Sequence, residues 1–314
     1  MDFIQQAYKG KNKLWMFLVT SLVVSGIFIL NFVMYLMTSP EDMDAAYDLL
    51  KNMPANLSLF INLVPFVILL GLLFLLVKFV HERSILSLTT ARSKVDWKRM
   101  FFSFGLICTI TIVLFLISYY ADSSEIEVQF NPSKFLILFI ISIILFPFQI
   151  GLEEYLFRGY FMQQIGIIAK NRWVPLLLTS VFFGLAHSAN PEVAEMGFIT
   201  MVFYIGTGLF LGIITLMDDS LELALGFHLG NNLLAALLVT SDWSALQTDA
   251  IFKYTSEQPT NTFADIIAPV LIFYPLLILV FSRKYKWTNW NEKLFGKVEK
   301  PTDTSIEELG QLTD

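Results

Sequence analysis

Residues 135–158 read FLILFIISIILFPFQIGLEEYLFR, an uncharged run that ends in Glu153, Glu154 and, one helical turn on, Arg158. At ~1.5 Å per helical residue, the run from 135 to 152 covers most of the ~30 Å of a bilayer's hydrocarbon. In lipid every backbone polar group must be satisfied internally, so such a run has to be helix. A charge at the centre of a membrane helix costs ~2.5–3.5 kcal/mol. Three charges so close together imply one shared reason for keeping them, and a polar catalytic site between helices inside the membrane supplies it.

Seven further apolar runs lie around this one, at 14–37, 58–80, 100–120, 173–187, 196–217, 221–240 and 264–282. With 135–152 they predict an all-α polytopic membrane protein of about eight transmembrane helices. The first run is too long for a signal-peptide core and is read as a membrane span; 173–187 is the shortest. The chain of 314 residues is 55% hydrophobic and 15% charged, with mean hydropathy +0.63, and its apolar residues sit in long stretches instead of short amphipathic pieces. The organisation expected is one membrane unit: helices 1–3 over 1–134, a catalytic core over 135–240, an external loop and last helix over 241–282, and a mobile cytoplasmic tail over 283–314.

Loop charge orients the chain, because basic residues stay in the cytoplasm. Lys9, Lys11 and Lys13 precede the first run, Lys78 through Arg99 supplies six basic residues after the second, Lys170 and Arg172 follow the fourth, and Arg283, Lys284 and Lys286 follow the eighth. Between them lie acidic loops holding Glu41, Asp42, Asp44 and Asp48, then Asp122, Glu125 and Glu127, then Glu192 and Glu195. The alternation keeps step with eight crossings and puts both termini in the cytoplasm; only the turn with Asp218, Asp219 and Glu222 lacks its basic residue. A net charge of −6 with no basic stripe excludes a nucleic-acid partner. The lone Cys108, inside an apolar run, excludes an internal disulfide or a thiolate zinc site and reads as a small packing residue.

Three motifs carry chemistry. In Glu153-Glu154-Tyr155-Leu156-Phe157-Arg158, Glu154 and Arg158 lie ~40° apart around a helix, the favourable acid-before-base pair, while Glu153 points ~140° from Arg158. A structural pair and a free carboxylate are predicted, and a carboxylate partly removed from water suits general-base work near neutral pH. The plainer reading of the hexapeptide is an interfacial ion cluster with its arginine snorkelling toward the headgroups. His187 closes Phe183-Gly184-Leu185-Ala186-His187. It stands seventeen residues after Lys170, as Glu153 stands seventeen before it, so a hairpin turning at 170–172 places both at similar depth. In His228-Leu229-Gly230-Asn231-Asn232, positions 228 and 232 share a helix face and can address one polar centre. Gly226 and Gly230 permit close helix approach, Asn231 faces elsewhere, and the remaining histidine, His81, falls in a cytoplasmic loop with no role assigned. Counted along the helices, Glu153 lies ~25 Å from its turn and His228 only ~12 Å from the 218–219 turn. The two meet only if the first hairpin projects beyond the membrane surface, with the site opening toward the cytoplasmic half of the bilayer.

Taken in order, Glu153, Glu154 and Arg158, then Phe183 and His187, then His228 and Asn232 resemble the motif set of the CPBP family of intramembrane proteases, which includes type II CAAX prenyl endopeptidases and bacterial bacteriocin-processing or self-immunity proteins. The likeness covers about 135–240, with no departure at the motif positions. It implies an endopeptidase acting on a membrane-associated peptide or protein. Glu153 with His187 would activate water, His228 and Asn232 would stabilise the oxyanion, and Glu154 and Arg158 would orient Glu153. Its partners would be membrane lipid and the substrate, and its place a cell membrane as a multi-pass protein: the plasma or inner membrane of a bacterium, or the endoplasmic reticulum of a eukaryote. No cofactor is favoured. Zinc remains open, since Glu153, His187 and His228 offer three ligands, although the helical His-Glu-x-x-His arrangement is absent. Two other functions compete: a non-catalytic scaffold or immunity-type protein with the same fold, and a proton-coupled transporter, against which the missing internal repeat counts.

Overall fold

The computed structural model describes residues 1–39, 42, 53–245, 247–256 and 266–301. Glu41, Asp44 and Asp48, the first two residues of the 264–282 run, and the chain beyond 301 lie outside them. The apolar runs form eight helices: α1 Leu14–Met37, α2 Ala55–Phe79, α3 Trp97–Ala121, α4 Pro132–Ala169, α5 Trp173–Ala186, α6 Thr200–Asp218, α7 Glu222–Leu237, and α8, which begins in wide π-type turns at Pro269–Phe273 and continues as Tyr274–Tyr285. Among the described residues, five of these (α1, α2, α3, α4 and α6) are long and apolar enough to cross a membrane. The protein is an all-α polytopic membrane protein. Leu22, Leu30, Ile68, Ile117 and Leu136 are exposed along α1 to α4, as lipid-facing residues must be.

Helix starts are set locally. Asp96 accepts a hydrogen bond from the Lys98 amide to open α3, and Asn131 caps α4 with Pro132 in its first turn. The closest crossing is α7 on α3. A Cβ at Gly226 would collide with the Met100 carbonyl, and one at Gly230 would meet Ile107 and lie 3.1 Å from the Phe104 carbonyl. The two glycines therefore let the His228 helix sit against α3 backbone to backbone, as their size predicts.

One end of the bundle gathers both ends of the described chain. The Lys11 amide donates to the His81 carbonyl (2.7 Å), the Leu221 amide to Thr89 (2.7 Å), and the Val298 amide to Lys170 (3.0 Å). Arg172 pairs with Asp2, and Lys293 with Asp219. Loops predicted to share a side do so. The exceptional turn at 218–222 takes its positive charge from other elements: Asp218 pairs with Arg92 (3.1 Å) and with Arg99, and Glu222 pairs with Arg92 at 2.7 Å. The tail expected to be mobile from residue 283 is instead docked through residue 298. A short helix, Trp290–Phe295, leads to Val298, which is buried against the hairpin turn at Lys170. Its polar sequence concealed this because its apolar packing on the hairpin is by Leu294 and Val298, and the rest of the binding is through backbone groups and ion pairs.

At the other end is a small sheet. Strand β1, Ile126–Val128, runs antiparallel to β3, Phe252–Tyr254, with Ile126 opposite Tyr254; β2, Val239–Thr240, pairs parallel with β3 from Val239 opposite Phe252. At thirty-eight residues α4 is ~57 Å long, well beyond a bilayer's hydrocarbon. Its last turns are wrapped by residues 4–9 and 290–298, and its length leaves room for the projection the depth count calls for.

Candidate active site

Helix α4 changes winding where its charge begins. Pro132–Glu153 is regular, and Glu154–Phe161 continues in wider turns, with the Met162 amide bonded to the Phe157 carbonyl. Such π segments inside α-helices are frequent at functional sites. Here Gln149 reaches Glu153 and Glu154 reaches Arg158, each one turn along, so both adjacent carboxylates face α7.

The polar groups form one chain, buried except at half-buried Asn232. Asn232 Nδ2 donates to Gln149 Oε1 (2.9 Å), and Gln149 Nε2 donates to Glu153 Oε1. Glu153 Oε2 faces His228 Nε2 at 3.6 Å, longer than a hydrogen bond. His228 Nδ1 binds Glu154 Oε1 at 2.8 Å, and the same oxygen accepts from Arg158 Nη1 at 2.9 Å. Arg158 also donates to the Gly208 carbonyl of α6 (3.3 Å) and lies 4.2 Å over the Phe183 ring of α5. Glu153 is 5% exposed, and Glu154 and Arg158 are fully enclosed. An ion-paired carboxylate only accepts, so His228 Nδ1 carries a hydrogen and Nε2 is the nitrogen turned toward Glu153. Glu153 Oε2 has no hydrogen-bond partner among the described residues and has its lone pairs free.

The predicted Glu154–Arg158 pair is present and Glu153 is left with a free oxygen, but the orienting role that the resemblance gave the pair is directed at another residue. Glu154 does not act on Glu153; it holds His228. The hairpin is also present: Phe157 and Phe183, each thirteen positions from Lys170, meet with ring centroids 5.7 Å apart. His187 lies on the neighbouring helix, against the Phe183 ring that also meets His228. No hydrogen bond or ion pair joins it to Glu153 among the described residues. Its Nδ1 bonds the Phe183 carbonyl (2.7 Å), its ring stacks on Tyr204 (4.5 Å, 21°) and packs on Phe183 (4.6 Å), and Phe183 in turn meets His228 at 6.0 Å. A carbonyl can only accept, so the hydrogen of a neutral His187 is on Nδ1 and Nε2 keeps a lone pair. Among the described residues no three His, Cys, Asp or Glu side chains come together as metal ligands, so the suggested set of Glu153, His187 and His228 is not assembled in a form that fits zinc. Asn231 is exposed, as predicted, and donates to Asn232 Oδ1 (3.2 Å).

Gln149 and Tyr204 escaped the motif reading. Gln149 carried one signal, a polar residue one turn before Glu153 on the same face of an apolar helix. Tyr204 carried none, since its contacts with His187, Asn190 (2.9 Å) and Glu192 arise only when α6 packs beside α5.

Residues 132–234 match the family model of the type II CAAX prenyl endopeptidase Rce1-like proteins. That range opens on the first residue of α4 and contains every motif residue named above, so the likeness drawn from seven scattered side chains extends through the helices that carry them. The chain is also similar to the uncharacterized protein YyaK of Bacillus subtilis (strain 168), 28% identical over 282 residues that cover 87% of this chain and 94% of that protein. No solved structure matches.

Proposed function

We propose that this protein is a multi-pass intramembrane endopeptidase of a cell membrane, hydrolysing a peptide bond in a membrane-associated peptide or protein without a metal. The observation that carries the reading is the state of Glu153: one carboxylate oxygen pinned by Gln149, the other buried, unpartnered and 3.6 Å from an imidazole nitrogen. Glu153 Oε2 takes a proton from water as the hydroxyl oxygen attacks the scissile carbonyl, with the His187 Nε2 lone pair as the second acceptor for that water. The carbonyl becomes an oxyanion, which the free N–H of Asn232 and a protonated His228 Nε2 stabilise. Fixed donors of this kind are typically worth ~3–4 kcal/mol each. Glu154 holds the His228 ring through Nδ1, and Arg158 holds Glu154. Collapse of the tetrahedral intermediate breaks the C–N bond as Glu153 returns its proton to the leaving amine.

An apolar cavity of about 350 Å³ lies between α1 and the hairpin, lined by Phe17, Phe28, Phe157, Phe161 and Leu185, and its wall reaches Ala186 beside His187. It supports a substrate whose apolar part arrives from the lipid. The test compares membranes carrying wild-type or Glu153→Ala protein by mass spectrometry of peptide termini, with and without chelator. New termini that depend on Glu153 and survive chelation are expected. Identical termini in both membranes would remove the proposed base, and loss on chelation would overturn the metal-free route.

A further inference from the structure

Gln149 bridges two side chains that the proposed reaction needs on different helices, and the chemistry of its amide fixes both. Glu153 is a carboxylate with only acceptors to offer, so the Gln149 amide must turn its NH₂ to Glu153 Oε1. That leaves Gln149 Oε1 facing α7, where only a donor fits, and Asn232 presents Nδ2 at 2.9 Å. Asn232 Oδ1 is thereby turned the other way, to Asn231 Nδ2 at 3.2 Å. Neither amide can flip without setting two acceptors or two donors against each other. Gln149 itself is buried at 8% exposure, so water does not compete freely for these bonds.

The geometry points to Gln149 as a positioning residue that aligns the base on α4 with the oxyanion donor on α7, an inference that rests on the protease reading above. It selects Oε2 of Glu153 as the proton acceptor by occupying Oε1. It also commits one N–H of Asn232 and so aims the other. A carboxamide donates to a carboxylate and accepts from an amide at once, and does so at any pH. Leucine does neither. Glutamate, of nearly the same shape, accepts from Asn232 but serves Glu153 only while protonated.

The experiment measures kcat, KM and the pH profile of Glu153-dependent cleavage in reconstituted vesicles for wild type, Gln149→Leu and Gln149→Glu, alongside thermal unfolding. Gln149→Leu is expected to lose up to about 100-fold in kcat, the cost of displacing a reacting group by roughly 1 Å. KM should stay near wild type, and the acid limb of the profile should move to higher pH because Glu153 has lost its N–H donor. Gln149→Glu should retain activity at acid pH and lose it as the new carboxyl ionises beside Glu153, with unfolding temperature unchanged at the acid end. Wild-type kcat and profile in Gln149→Leu would overturn the inference alone. Failure of both variants to fold would make Gln149 a structural residue and overturn it equally. Absence of Glu153-dependent cleavage in wild type would remove the protease reading, and this inference with it.

Discussion

Helix α4 carries two buried polar networks, and they are built to opposite rules. The first joins Gln149, Glu153, Glu154 and Arg158 to His228 and Asn232, and in it Glu153, Glu154 and Arg158 each keep a buried polar atom with no partner. The second lies some two turns on, around His81 and Arg83. His81 Nδ1 bonds the Lys11 carbonyl (2.8 Å), and its Nε2 lies 3.0 Å from Tyr160 and 3.2 Å from Thr20 of α1. Arg83 donates to the Ser87 hydroxyl and carbonyl (2.7 Å each) and to Gln163, which also donates to the Ser87 carbonyl (3.0 Å). None of His81, Arg83, Ser87, Tyr160 and Gln163 is left with an orphaned buried atom. A saturated network has nothing left to exchange and works as a fastener, here of α1 and the 80–90 segment to α4. An unsaturated one holds spare proton capacity at a cost in stability.

Substitutions should separate the two. Glu153→Gln keeps shape and bonding volume but removes the base, and cleavage is expected to fall on the order of 10⁴-fold, or about 5.4 kcal/mol of barrier, with unfolding temperature near wild type. Comparable cleavage by this variant would erase the distinction drawn for the first network. Arg158→Met removes the guanidinium that pairs, among the described residues, with the fully enclosed Glu154. It should destabilise the protein by about 3–5 kcal/mol, read as a lowered unfolding midpoint in detergent. In the second network Gln163→Leu should cost about 1–3 kcal/mol of stability, by leaving Arg83 and the Ser87 carbonyl short of a partner. Turnover per folded molecule should be unchanged; a drop in kcat would show that the fastener also tunes the site.

The smallest effect is in pH. Burial, opposed by the Lys11 carbonyl and reinforced by Arg83, holds the His81 imidazole below its usual value, and burial brings Arg83 down to about 9. The unfolded chain therefore binds a proton at His81 more readily than the folded one. Stability is complete above the ordinary histidine value of ~6.5 and declines as pH falls below it, toward the lowered folded value. Thermal unfolding between pH 8 and pH 5 should show that decline, and His81→Gln should flatten it.

What the sequence disclosed follows the same division. The Glu154–Arg158 pair, the hairpin at 170 and the glycine-lined face of α7 were legible because helical periodicity and residue size fix them locally. The role of Gln149 was not, because it depends on which groups α7 presents after packing. His81, assigned to an unremarkable loop, is 1% exposed because the first eleven residues fold back over it. The docked segment 290–298 was hidden for a similar reason, its polar side chains giving no hint that its backbone completes the hairpin turn.

The shortness of α5 reaches outside the protein. Fourteen helical residues rise ~21 Å, so the lipids against Trp173–Ala186 face a hydrophobic face ~9 Å too small for an ordinary bilayer. Lipid fitted to a helix of this length would compress or tilt, and headgroups would then come nearer to His187. Membrane thickness would then be a variable of the site, and short-chain lipids would match what this helix lacks.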